Sequence, residues 1–219
     1  MKRREFITLP AKTVAGLLVF TVGDRLRVHA QTGKVAVPLR FFTAAEARVV
    51  EAACERIFPS DESGPGAKEA GVVIFIDRQL AGPYGRDKYR YTRPPFVASM
   101  AEHGYQGKET PREVYRSGVR GLGNFADLAP AERDQRLRSI ETTTFFRLLR
   151  DHTVEGMFSD PMHGGNADLV GWQMIGYPGP LMSYRNDIDK SFGEAWRRKP
   201  VSLEQVLKRP VKGWEEEKD

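Results

Sequence analysis

Apolar positions recur with helical spacing along most of the chain, and the polar residues between them carry recognisable helix caps. Thr43-Ala-Ala-Glu46 is a capping box, with Thr43 as N-cap and Glu46 three positions on. Behind it Ala47, Val50, Ala53/Cys54 and Ile57 share one face, and Pro59 stops the helix. Cys54 is expected there as a small core residue. The run "AKEAGVVIFIDRQLAG" contains five consecutive apolar residues, Val72 to Ile76, which alone would suit a buried strand. Its total length and its Ala/Lys/Glu start favour a buried helix. Thr110-Pro111 opens a further helix with proline at its first position. That helix carries Val114/Tyr115, Val119 and Leu122 and is expected to end near Asp127. Pro130 opens "AERDQRLRSIE", Thr143 opens "TFFRLLRDHTVEGMF", and a short helix starts at Ser202. No internal repeat occurs, and no hairpin dipeptide lies between alternating strands. The pattern predicts a mostly α protein: a single irregular helical domain of roughly six helices with long loops.

Two segments break the periodicity. Residues 82–109 form a long loop in which Tyr84, Tyr89, Tyr91, Phe96 and Tyr105 are interleaved with Arg86, Lys88, Arg90 and Arg93. Long irregular segments inside compact domains are usually functional or disordered, and Tyr and Arg are the residues that anchor interfaces. Tyr84, Tyr89, Arg90, Tyr91 and Phe96 are therefore candidates for contact with a partner, against the plainer reading of a solvated loop. The tail, residues 200–219, ends in "KGWEEEKD".

The N-terminus has its own logic. Lys2, Arg3 and Arg4 make a basic segment, "AGLLVFTVG" (15–23) a short apolar one, and Val28-His29-Ala30 a small-residue site of the cleavage type. A bilayer span needs ~20 apolar residues, so this core is too short to cross. In "KRREFI" the pair Arg3-Arg4, with Phe6 two places on, resembles a twin-arginine export signal. Residues 1–30 are read as that signal and 31–219 as the mature domain, exported folded to the periplasm. Export in the folded state suits a cargo that carries a cofactor.

Charge changes the picture little once the leader is set aside. Of 34 basic and 29 acidic residues, six and two lie in residues 1–30, which leaves 28 and 27. The formal charge of +5 therefore belongs mostly to the leader, and the case for a nucleic-acid partner loses its support. The single cysteine, Cys54, can close no internal disulfide and hold no iron–sulfur cluster, and there is no CxxCH for covalent haem. "GLGNFA" (121–126) follows a helix rather than a strand, the wrong context for a dinucleotide loop. No cofactor site is expected in this chain.

The densest polar cluster is "HTVEGMFSDPMHGGNADLVGWQMIGYPGP", residues 152–180. His152, Glu155, Asp160 and His163 could form a metal site, which would make the chain a stand-alone metal-dependent periplasmic enzyme. His152 also shares a helix face with Phe145 and Leu148/Leu149, which favours a hydrogen-bonded core histidine. Asp160-Pro161 and Gly164-Gly165-Asn166 are turn signals. Such glycine turns beside Trp172 and Tyr177 suit a backbone that approaches something closely. Asp160, His163, Gly164, Gly165, Asn166, Trp172 and Tyr177 are accordingly further candidates for a partner contact.

Three blocks, "IFPSDESGPGAKEAGVVIFID" (57–77), "HTVEGMFSDPMHGGN" (152–166) and "GWQMIGYPG" (171–179), resemble the small subunit, subunit 3, of gluconate 2-dehydrogenase and related FAD-dependent sugar dehydrogenases. The resemblance runs from about residue 41 to 180. It implies a non-catalytic subunit without catalytic, cofactor or metal residues of its own. It further implies a large FAD-dependent partner of the glucose–methanol–choline type, and a cytochrome c that takes the electrons. In such complexes the small subunit carries the export signal and escorts the flavoprotein, and any membrane association comes through the complex.

Overall fold

The computed structural model describes residues 37–89, 94, 96, 100–103, 107–181 and 198–208. Arg3, Arg4, Phe6, Arg90 and Tyr91 lie outside the described residues. The described residues contain seven α-helices and no β-strand beyond isolated bridges: α1 (Ala44–Ile57), α2 (Val72–Ala81), α3 (Pro111–Leu122), α4 (Pro130–Ser139), α5 (Thr144–Phe158), α6 (Val170–Ile175) and α7 (Leu203–Lys208). None of these is long and apolar enough to cross a membrane.

Local chemistry sets most of the boundaries. Thr43 and Thr110 each accept the backbone N–H of the residue at N3 and receive a reciprocal cap from Glu46 and Glu113. Pro111 and Pro130 occupy first-turn positions, where the missing N–H costs nothing. Two expectations need correction. α2 begins at Val72, not near Ala67, because Gly71 is left-handed (φ 66°) and residues 67–71 are spent in turns. α3 ends at Leu122, not near Asp127, because Gly123 also takes a positive φ of 59° and the chain restarts as a separate 3-10 turn, Phe125–Asp127.

The core lies where α1, α2, α3 and α5 meet. α1 contributes Val50, Ala53 and Cys54, α2 contributes Val72, Val73, Ile76 and Leu80, and α5 contributes Leu149 and Met157. Small residues bring the helices close. A Cβ on Gly156 of α5 would lie 3.0 Å from Val72 and 3.2 Å from Phe75 of α2. Cys54 is sealed in this layer, where it accepts a hydrogen bond from the Thr153 hydroxyl at 3.3 Å. Burial pushes its thiol up to about 12, as expected of an inert core cysteine.

One buried charge fixes the entry of the chain. Asp77, 1% exposed on α2, accepts the successive backbone N–H groups of Arg40 (2.6 Å), Phe41 (2.9 Å) and Phe42 (2.8 Å). A carboxylate buried in an apolar helix is tolerated only with such compensation. The contact lays Leu39 and Phe42 into the core and delivers Thr43 to the start of α1. α4 is tied to α1 by the two-pronged pair of Arg56 with Asp134, at 2.7 and 2.8 Å.

Candidate functional site

His152 projects from α5 into the core and is 4% exposed. Its two ring nitrogens are both engaged by tyrosines from other elements. The Tyr84 hydroxyl lies 2.8 Å from Nε2, and the Tyr115 hydroxyl of α3 lies 2.8 Å from Nδ1. The Tyr115 ring stacks on the imidazole with 10° between planes, and the Tyr84 ring meets it edge-on at 78°. A neutral imidazole has one donor and one acceptor nitrogen, so one tyrosine accepts from the ring and the other donates to it.

Burial lowers the pKa of His152 to about 4 and raises that of Tyr84 to about 12. It also drives Tyr115 well above the usual tyrosine value. Glu155 and Asp151, three positions after and one before His152, oppose ionisation of both tyrosines. The whole chain of groups is therefore neutral at pH 7. It has neither a free nitrogen for a metal nor a base facing a cleft. The expectation of a hydrogen-bonded core histidine is met.

The metal reading fails on geometry. His152 has no open coordination position, His163 is exposed on a 3-10 turn, and Asp160 is used in backbone bonds. Among the described residues no three His, Cys, Asp or Glu side chains converge on a point that could hold an ion.

The Gly-rich block turns out to cap the end of α5. The last carbonyls of a helix have no partner within it. Here the Trp172 indole N–H donates to the Phe158 carbonyl at 2.6 Å, and the Asn166 amide donates to the Ser159 carbonyl at 2.9 Å. The Asn166 side-chain oxygen in turn accepts the Gly171 N–H at 2.8 Å. Gly165 and Gly171 pass so close to the Gly156 and Met157 carbonyls that any Cβ would overlap them. Asn166 itself adopts a left-handed conformation (φ 48°) and is fully buried. Asp160 bridges outward: one oxygen accepts the Met162 N–H at 3.0 Å, the other the Leu203 N–H at 2.6 Å, which docks α7.

The interface candidates therefore divide. Gly165, Asn166 and Trp172 are engaged inside the chain, and the Asp160 carboxylate is taken. His163, Tyr84 (40%), Tyr89 (80%), Phe96 (42%) and Tyr177 (42%) present surface, and Gly164 is half-buried against Arg78. Tyr177 meets the Trp172 ring edge-on at 4.9 Å.

The root of the 82–109 segment is also built firmly, chiefly by Arg112, which sequence reasoning passed over. Arg112 of α3 donates to the carbonyls of Leu80 (2.6 Å) and Ala81 (2.8 Å), closing the end of α2. Arg86 adds a bond to the Ala81 carbonyl at 3.1 Å. The Gly85 N–H reaches the Gln79 carbonyl at 3.2 Å, in a position where a Cβ would strike the backbone of Leu80. Asp77 and Arg112 carried one sequence signal each: a charge inside an apolar run, and an arginine just inside a capped helix.

No curated protein and no solved structure matches the chain. The family model described as gluconate 2-dehydrogenase subunit 3 matches residues 44–179, from the first residue of α1 through the cap on α5 to Gly179. That span is more than half of the 219 residues and contains both the His152 cluster and the glycine-rich cap, and on this ground the chain belongs to the gluconate 2-dehydrogenase subunit 3 family.

Proposed function

We propose that this chain is the small, non-catalytic subunit of a periplasmic FAD-dependent sugar or sugar-acid dehydrogenase. Its work is to export, fold and stabilise the large flavoprotein subunit. The observation that carries the reading is the family match over residues 44–179. The family is named for a subunit of a dehydrogenase, so association with other subunits comes with membership. Two further features support the finer reading. The Arg3-Arg4 leader suits a cargo folded around its cofactor before export. Both ring nitrogens of the buried His152 are taken up by the Tyr84 and Tyr115 hydroxyls, which leaves neither for a substrate.

On this reading FAD sits in a partner of the glucose–methanol–choline type, and a cytochrome c receives the electrons. The test is purification of the tagged full chain from the periplasm of cells that produce it naturally. A co-purifying protein with flavin absorbance and sugar-oxidising turnover is the expected result. A tagged chain that is recovered without any flavoprotein would refute the proposal.

A further inference from the structure

We propose that the Tyr115–His152–Tyr84 hydrogen bonds run in one direction, from the Tyr115 hydroxyl to Nδ1 and from the Nε2 hydrogen to the Tyr84 hydroxyl, and that proton uptake at Nδ1 is an acid-operated release of α3 from α5. The direction follows from burial. Tyr115 is 0% exposed, and among the described residues its hydroxyl meets only Nδ1. A buried hydroxyl hydrogen needs an acceptor, so it goes to that nitrogen. Nδ1 is then the acceptor of the neutral ring, and Nε2 carries the hydrogen. Nε2 donates it to Tyr84, which is 40% exposed and can turn its own hydrogen to water.

Proton uptake affects the two ends differently. At Nε2 nothing is reversed, because the imidazolium donates to Tyr84 as the neutral ring does. At Nδ1 the added proton points at the Tyr115 hydroxyl, whose oxygen is 2.8 Å away, and two donors meet. Either the hydroxyl turns its hydrogen toward the neighbouring Phe42 and Phe145 rings, or α3 gives way. The first leaves a buried hydrogen without an acceptor, and the second opens the contact between the helices. The other titratable groups facing these three rings are Cys54 of α1, Asp87 in the segment after α2, and Asp151 and Glu155 of α5. Asp151 favours proton uptake by the ring, with its charge shared by Arg150, and burial opposes it. A periplasmic chain meets the pH of the medium, so the release rests on the location proposed above for its occasion, though not for its mechanism.

The experiment is nitrogen NMR of the full chain, labelled at its four histidines and titrated from neutral to acid pH, with His152→Gln to assign the signal. At neutral pH Nε2 should carry the hydrogen and Nδ1 should be bare. The reverse tautomer overturns the direction, and the release with it. Tyr115→Phe removes a bond that the neutral ring accepts, so the titration midpoint of His152 should rise by about half to one pH unit. Tyr84→Phe removes a bond that the charged ring donates more strongly, so the midpoint should fall. Two shifts of the same sign would also overturn the proposal. Amide exchange, corrected for its intrinsic pH dependence, reads the release itself. Below the midpoint α3 should lose protection ~10-fold or more relative to α2 in the wild type, and keep it in Tyr115→Phe. Unchanged α3 protection across the midpoint overturns the release. None of these results involves a partner, so the subunit reading stands or falls separately, on the flavoprotein that co-purifies.

Discussion

Tyr115 and His152 lie stacked, with 10° between their planes and 2.8 Å between the tyrosine hydroxyl and Nδ1. The pair welds α3 to α5, and Tyr84 extends it to the segment after α2. Its stability contribution has a definite pH dependence. The folded His152 has its pKa lowered from 6.5 to about 4, so the native state binds fewer protons than the unfolded state between those values. The contribution is full above pH 6.5, is lost as pH falls toward about 4, and declines no further below that. The maximum loss is about 3 kcal/mol. Thermal unfolding at several pH values between 7 and 4 should show this fall in the wild type and a shallower one in His152→Gln. Equal slopes would mean that His152 is not buried as described.

Asp77 should be the most sensitive single carboxylate. Asp77→Ala strands the N–H groups of Arg40, Phe41 and Phe42; the Phe42 bond is buried and the other two are half-buried, and a buried donor left unpaired costs about 1–3 kcal/mol. Denaturant unfolding should show a loss of several kcal/mol, with Asp77→Asn intermediate because the amide keeps one acceptor. A loss below about 1 kcal/mol would show that the lead-in does not depend on this contact.

Glycines should separate cleanly by what surrounds them. Gly165→Ala drives a methyl into the Gly156 carbonyl, so the cap must lift off the end of α5. Loss of stability by ~3 kcal/mol or more, or failure to fold, is expected. Gly121→Ala meets nothing within 4 Å and should stabilise α3 by up to about 1 kcal/mol. Melting temperatures of the two variants, moving in opposite directions, are the check.

Cys54 should be silent toward thiol reagents. The folded thiol is 1% exposed and titrates only near 12, so a maleimide or aromatic disulfide should label it at the rate of global unfolding. Rapid labelling of native protein would mean that α1 and α5 separate easily.

What was legible in the sequence was what is local. Thr43, Thr110, Pro111 and Pro130 act within one turn of themselves, so their helices could be placed from spacing alone. The core position of His152 followed from its helix face. Its partners did not, because Tyr84 and Tyr115 lie 68 and 37 residues away and no local pattern joins them. The turn at Gly164-Gly165-Asn166 was equally plain, but its target was not. A glycine announces that backbone comes close to something; only the fold reveals that the neighbour is the end of α5. Trp172 likewise stood out only as an aromatic beside glycine turns; the fold buries it, and its N–H completes that same cap. Asp77 was missed because its three donors are backbone groups 35 to 37 residues upstream, which carry no sequence signature.

The proposed escort role is tested most directly at Arg3-Arg4, the pair that resembles an export signal. The receptor for such signals reads the two guanidinium groups as shaped donors, which an ammonium does not reproduce. With Arg3-Arg4→Lys-Lys, the dehydrogenase activity and the flavin-bearing subunit should be measured in periplasmic and cytoplasmic fractions. Retention of both this chain and the flavoprotein in the cytoplasm is the predicted result. A flavoprotein that still reaches the periplasm in full amount would contradict the account.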